Sequence, residues 1–181
     1  MKQIRLSYSI LEPWSKGDYD EALRRYWREE QQPTQAMIEG KLLHQQWEDE
    51  VKKTKCLPQI FGGEKLGVFR TELKLEVQLE DWLQLVGVID LMNDRKIYDY
   101  KTGRTQVSAY SSSQQIPIYQ LLAVKSGLDV DEGYYLHFDQ HSKTIEKSKR
   151  YLTEKTMKDA NDWVITFASE IYSSLEEAGE L

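Results

Sequence analysis

The sequence predicts a single α/β domain, and three features predict it. Apolar residues recur at helical spacing near both ends of the chain, strict alternation of apolar and polar residues fills the middle, and one further helical stretch interrupts the alternating runs. With 181 residues, 40% of them hydrophobic, the chain can build one core. The expected division of 1–181 is a helical N-terminal part over 1–67, a sheet with an inserted helix over 68–152 and a C-terminal helix over 153–181.

From Ser7 to about Val51 the pattern is helical and aromatic. The run DYDEALRRYWREE predicts a helix with Ala22, Leu23, Tyr26 and Trp27 on one face. Pro33 punctuates, and TQAMIEGKLLHQQWEDEVKK predicts a second helix through Met37, Leu43, Trp47 and Val51, with Gly40 its weak point. Pro58, Gly62, Gly63 and Gly67 mark CLPQIFGGEKLG as a connection. The clearest strand is ELKLEVQLEDW, where Leu73, Leu75, Val77 and Leu79 alternate with polar residues. A turn at Glu80 and Asp81 leads to WLQLVGVIDLM, and one at Asn93 and Asp94 leads to KIYDYK, so the three read as an antiparallel meander.

Past Gly103 a serine-rich connection enters QQIPIYQLLAVKSG, a helix ended by Ser126 and Gly127. Proline in a helix interior costs about 3 kcal/mol, so the regular helix is expected to begin near Gln114 with Pro117 in its first turn. EGYYLHFD and KTIEKSKRYL are two further strands, and Thr153 to about Glu177 is a helix packing Trp163, Val164, Phe167, Ile171 and Leu175.

A formal charge of -6 argues against holding nucleic acid by bulk positive charge, which leaves room only for a local basic groove or a bound cation. Cys56 is the sole cysteine, which excludes an internal disulfide and any zinc or iron-sulfur site built from several thiolates of this chain. The N-terminus lacks the apolar core of a signal peptide and no apolar run is long enough to span a bilayer, so a soluble, cytoplasmic protein without a membrane partner is expected.

The stretch IYDYKTGR, Ile97 to Arg104, carries the chemistry. Acid-x-lysine is uninformative alone, since it recurs at Glu39/Lys41, Glu50/Lys52, Glu72/Lys74 and Asp94/Lys96. In a strand, however, Asp99 and Lys101 project on one side, and a hairpin at Asn93 and Asp94 brings Asp90 beside Asp99. Two carboxylates among apolar residues repel unless one is protonated or a cation joins them, and hard oxygen ligands suit Mg2+ or Mn2+. A lysine beside such an ion can orient an attacking water or stabilise charge on a phosphorane, the chemistry of phosphodiester hydrolysis. Gln115 and Tyr119, four apart in QIPIY, share a helical face and can contact a phosphate or brace the lysine. His44 shares a face with Trp47 and Val51 and can complete the ligand set. The lysines of SKTIEKSKRYLTEK and arginines of ALRRYWRE read first as solvated faces, and Trp14, Trp27, Trp47 and Tyr110 first as packing.

Taken in order, LSYSILEPW, GKLLHQQWE, GVIDLM, YDYKTGR and QIPIY resemble the RecB-type branch of the PD-(D/E)XK nuclease superfamily over most of the chain. The resemblance implies a restriction-endonuclease-like α/β core, a central mixed sheet flanked by helices. It implies His44, Asp90, Asp99 and the carbonyl of Tyr100 as metal ligands, Lys101 acting with the water, and Gln115 and Tyr119 supporting it and contacting DNA. It further implies an exonuclease on DNA ends or single strands in recombination, repair or phage DNA metabolism, working alone or with a helicase or recombinase. A single cysteine departs from the relatives that hold an iron-sulfur cluster, such as the CRISPR adaptation nucleases. The family's glutamate on the preceding strand matches either Glu72 or Glu76. A competing reading is a catalytically silent DNA-binding or scaffold domain of the same fold, against which the intact acid and lysine positions speak.

Overall fold

In a computed structural model, which describes residues 2–29, 32–104 and 107–181, six strands form one mixed sheet. In chain order the elements are β1 (Ile4–Ser7), α1 (Tyr8–Ser15), α2 (Tyr19–Tyr26), α3 (Gln35–Thr54), β2 (Phe69–Glu80), β3 (Leu83–Asn93), β4 (Lys96–Thr102), α4 (Gln115–Lys125), β5 (Glu132–Phe138), β6 (Ile145–Tyr151) and α5 (Glu154–Glu177). The meander β2, β3, β4 is antiparallel as the alternation implies, and β5 with β6 is antiparallel too. Two parallel pairings, β1 with β3 and β4 with β5, make the sheet mixed. The part expected to be helical over 1–67 therefore opens on a strand, whose four residues are too few to show a period.

Apolar residues cover both faces of the sheet. On one, Ile97 and Tyr135 join a core with α1, α4 and α5; on the other, Tyr98, Tyr134 and Leu136 join Trp47 and Val51 of α3 and Leu57, Phe61 and Leu66 of the connection after it. Those three buried residues make the glycine-marked connection a packed cover. Trp27 and Met37, expected on buried faces, stand 45% and 56% exposed: each lies at a helix end beyond the reach of the sheet. Residue 30, the last of the run DYDEALRRYWREE, and residue 31 after it lie outside the described residues, as do 105 and 106 of the serine-rich connection.

Two glycines let α4 lie directly on the sheet. A Cβ at Gly87 of β3 would stand 2.7 Å from Leu122 Cδ1, and one at Gly133 of β5 would run into Ile116 Cγ2. Pro117 falls at the third helical position, where its missing N–H costs no intrahelical bond. Buried Gln120 then ties α4 to α5: its Nε2 donates to the Thr153 carbonyl and its Oε1 accepts from Thr156 Oγ1, beside the Thr153 capping box. On the other face Gly40, the weak point of α3, marks its closest approach to β4, where a Cβ would lie 2.7 Å from Thr102 Oγ1.

Gly133→Ala is expected to destabilise the fold by about 1–3 kcal/mol through overpacking against a β-branched, stiff neighbour. Urea unfolding should show that loss, and the double variant with Ile116→Ala should be less destabilised than the two single losses added together.

Candidate active site

β3 is the strand on which the site forms. Its one edge pairs with β2 from Leu83 to Asn93 except at Asp90, whereas the other is divided: β1 takes Leu83–Val86 and β4 takes Leu91–Asn93. Between these stretches β3 and β4 diverge, and Asp90 lies in the opening. Its Oδ2 accepts a hydrogen bond from the Tyr100 N–H at 2.8 Å, so a side chain replaces the next ladder bond. The alternation of β4 then turns Tyr98 and Tyr100 toward α3, leaving Asp99 and Lys101 on the α4 side with Ile97.

Asp99 is 2% exposed, which separates it from the four other acid-x-lysine pairs of the sequence. Lys101 Nζ stands 2.6 Å from Asp99 Oδ2 and donates to Gln115 Oε1 at 2.7 Å, while Gln115 Nε2 donates to Tyr119 Oη at 2.9 Å. The ammonium is thus held at two points, one charged and one neutral. The rings of Tyr110 and Tyr135 stand 5.6 and 5.8 Å from it. Gly87 makes this chain reachable, since a Cβ there would also approach the Tyr119 ring to 3.2 Å.

The electrostatics are those of a crowded anionic pocket. Burial pushes the Asp90 carboxyl well above the usual carboxylate range, and the charge of Asp99 adds to the effect. Burial also pushes Asp99 up, with Lys101 only partly offsetting it. Burial works against the Lys101 ammonium, but Asp99 outweighs it and the lysine is held above its ordinary value. Both partners of the pair thus shift upward, and the proton stays on the lysine. Among the described residues the Lys101 ammonium is the one cation standing against Asp99 Oδ2. Buried Asp99 and half-buried Asp90, each with more acceptor sites than its single neighbouring donor fills, form a donor set that fits a hard divalent cation.

His44 reaches the same place from the opposite face. One turn beyond Gly40 on α3, its ring sits edge-on to Tyr100 at 5.8 Å, and burial followed by Lys101 pushes its pKa down to about 4, leaving a neutral imidazole. The structure therefore gathers Asp90, Asp99, Lys101, Gln115 and Tyr119, with His44 across the Tyr100 ring. Among the described residues no three His, Cys, Asp or Glu side chains already stand together as a cage.

Of the two glutamates, Glu72 is the one placed near Asp90. It lies across from Asp90, flanked by the pairs Thr71–Leu91 and Leu73–Ile89, and has φ of 47° where the ladder is interrupted. Loss of solvent and then Glu48 push its carboxyl up. Glu76 instead faces Val86 and pairs with Arg5 and Lys74. Two tyrosines escaped the sequence reading: Tyr135, opposite Asp99 in the parallel pairing and pushed up to about 12 by burial, and Tyr8, whose hydroxyl meets Ser113 Oγ at 3.0 Å. The motif LSYS contains Tyr8, but nothing local signals Tyr135.

A mixed sheet that opens to present paired carboxylates and a braced lysine defines a class of phosphodiester hydrolases. The chain belongs to the PD-(D/E)XK nuclease superfamily, whose family model matches residues 5–178. Among solved structures it is similar to an exonuclease candidate from Eubacterium rectale (13% identity, TM-score 0.66, covering 98% of this chain and 82% of that one). It is also similar to an alkaline exonuclease, LHK-Exo, from Laribacter hongkongensis (11% identity, TM-score 0.61, covering 97% and 91%) and to LHK-Exo in complex with dAMP (10% identity, TM-score 0.60, covering 96% and 90%). These likenesses are of fold. A search of the curated proteins finds no match. Among the described residues no helix is long and apolar enough to cross a membrane.

Asp90→Asn keeps an acceptor for the Tyr100 N–H and removes a buried charge. Because the folded chain holds this carboxyl above the ordinary value of about 3.9, the unaltered protein loses more stability than the variant as pH rises past that value, the variant keeping only the like losses at Asp99 and Glu72. Thermal melts in EDTA should show the two level near pH 4 and the variant more stable near neutral pH.

Proposed function

We propose that the chain is a divalent-metal-dependent deoxyribonuclease, acting over 1–181 as one catalytic domain and working as an exonuclease on DNA ends or single strands. The observation that carries this reading is the buried Asp99 against Lys101, with the lysine aimed by Gln115 and Tyr119. Asp90 and Asp99, with the Tyr100 carbonyl and the neutral imidazole of His44, would hold Mg2+ or Mn2+. Such a cation supplies Lewis-acid polarisation of the phosphate and lowers the pKa of a bound water.

The chain's own residues do the rest. Lys101, kept protonated by Asp99, offers N–H donors to the attacking water or to the oxygens on which charge develops. Gln115 accepts from one of those N–H groups, which fixes the direction of the others, and Tyr119 accepts from Gln115 and keeps its amide from flipping. Divergence of β3 and β4 leaves Asp90 half-buried at the opening, with Asp99 buried beside Lys101. The preference for ends rests on the exonuclease relatives and on the mononucleotide, dAMP, bound by LHK-Exo. A DNA-processing setting in repair, recombination or phage replication, with a helicase or recombinase alongside, follows from the same kinship.

A labelled single-stranded oligonucleotide is expected to shorten with Mg2+ or Mn2+ and to survive EDTA. Lys101→Ala and Asp99→Ala should each cost about 10²–10³-fold or more in turnover. Linear DNA should be degraded where closed circular DNA persists, as gel electrophoresis would show. Cutting that survives both variants would point to a contaminant.

A further inference from the structure

Beyond the catalytic opening, β6 carries charge that the hydrolytic reading does not use. It ends the sheet, paired with β5 on one side. Its alternation sends Glu146, Ser148 and Arg150 to the α4 side and leaves Lys147, Lys149 and Tyr151 on the other, where they share a face with Tyr134 and Leu136. Residues 143–151 hold four cations, Lys143, Lys147, Lys149 and Arg150, and one carboxylate, Glu146, in a chain of formal charge -6.

The lysines of this face are ordered by aromatic rings. Lys147 Nζ lies 4.8 Å from the Tyr134 ring centroid, Lys149 Nζ 4.3 Å from that of Tyr151 and Lys143 Nζ 5.7 Å from that of Phe138. Glu132 neutralises part of the charge at Lys149, 2.5 Å away, and also accepts from Tyr134 Oη. Tyr151 is 69% exposed, an open stacking surface. At the turn before β6, Lys143 lines a groove of about 440 Å3 together with Thr102 and Arg104, which follow Lys101 at the end of β4. Glu39 and Asp139 also line it, and Asp139 is occupied by the Ser142 hydroxyl and turn N–H groups.

The groove begins one residue past Lys101 at the end of β4, and the β6 lysines continue from Lys143 on the face opposite Lys101, so a strand passing from one to the other rounds the end of the sheet. We infer that a single nucleic-acid strand held at Lys101 continues across this groove and along β6, its phosphates at Lys143, Lys147 and Lys149 and a base on the ring of Tyr151. The inference rests on the nuclease reading and adds to it a strand lane. Lysines two apart on a strand stand about 7 Å apart, and such point charges bind phosphates without reading sequence. The competing role is edge protection, since lysines on a terminal strand discourage pairing with another sheet.

The test uses the full chain with Lys143, Lys147 and Lys149 each changed to Gln, a single Lys147→Gln chain, and Tyr151→Ser. Anisotropy of a long labelled oligonucleotide in EDTA, over a salt series, reads binding without cutting. The triple variant should bind about tenfold more weakly with its salt slope reduced by about 2, and Lys147→Gln should lose about 0.7 of that slope. Tyr151→Ser should weaken binding without changing the slope. Cutting of a trinucleotide, too short to reach β6, should stay unchanged in all three. An unchanged salt slope in the triple variant overturns the lane, whether or not sedimentation then shows the self-association expected of a lost edge guard. Trinucleotide cutting that falls in parallel overturns it too. Binding without any cutting by the unaltered chain sinks the nuclease reading alone, whereas no binding at all sinks both.

Discussion

An N–H inside a sheet ordinarily finds its carbonyl on the neighbouring strand, and at Tyr100 that strand has already turned aside. Asp90 supplies the missing acceptor, so one carboxylate both closes the open end of the β3–β4 pairing and stands at the mouth of the site. A buried N–H left unpaired would cost about 1–3 kcal/mol, and a carboxylate drawn in to prevent this brings its own desolvation penalty. The raised pKa values of Asp90 and Asp99 express that conflict. Lys101 relieves it in part, and a divalent cation would relieve it further. Chemistry and fold therefore meet in the same few atoms.

The charge of the whole molecule bears little on this. A chain of net charge -6 holds a half-buried ammonium and a row of surface lysines in two different environments. Within the sheet, Lys101 owes its protonation to one carboxylate at close range. On β6 the lysines are screened by water and stand on rings. Bulk acidity excludes a nonspecific polycation and nothing finer, because electrostatic work is set by neighbours within a few ångströms.

What could be seen in the sequence was whatever depends on short range. The alternation through Leu73, Leu75, Val77 and Leu79 and the turns at Glu80 and Asn93 set the hairpins, and those hairpins placed Asp90 near Asp99. Helical spacing linked Gln115 to Tyr119. Hidden were the features that need distant segments to meet. β1 is too short to carry a period, and its pairing with β3 spans most of the N-terminal helices. The parallel register of β4 and β5, which sets Tyr135 opposite Asp99, follows an intervening helix. Glu72 and Glu76 share a strand face, so only register against β3 could separate them. Gly40 looked like a defect of α3 because the feature it accommodates, Thr102, belongs to another layer.

The glycine contacts beneath α4 have a wider consequence. Gly87 and Gly133 set the height of a helix whose first turns hold the Lys101 ammonium through the Gln115 amide, itself bonded to the Tyr119 phenol. Hydrogen bonds tolerate a few tenths of an ångström and fail beyond that, so the thickness of this seam decides whether Gln115 and Lys101 meet across it. Methyl groups added to that seam would have no room and would lift the helix off the sheet, so stability and alignment would be lost together.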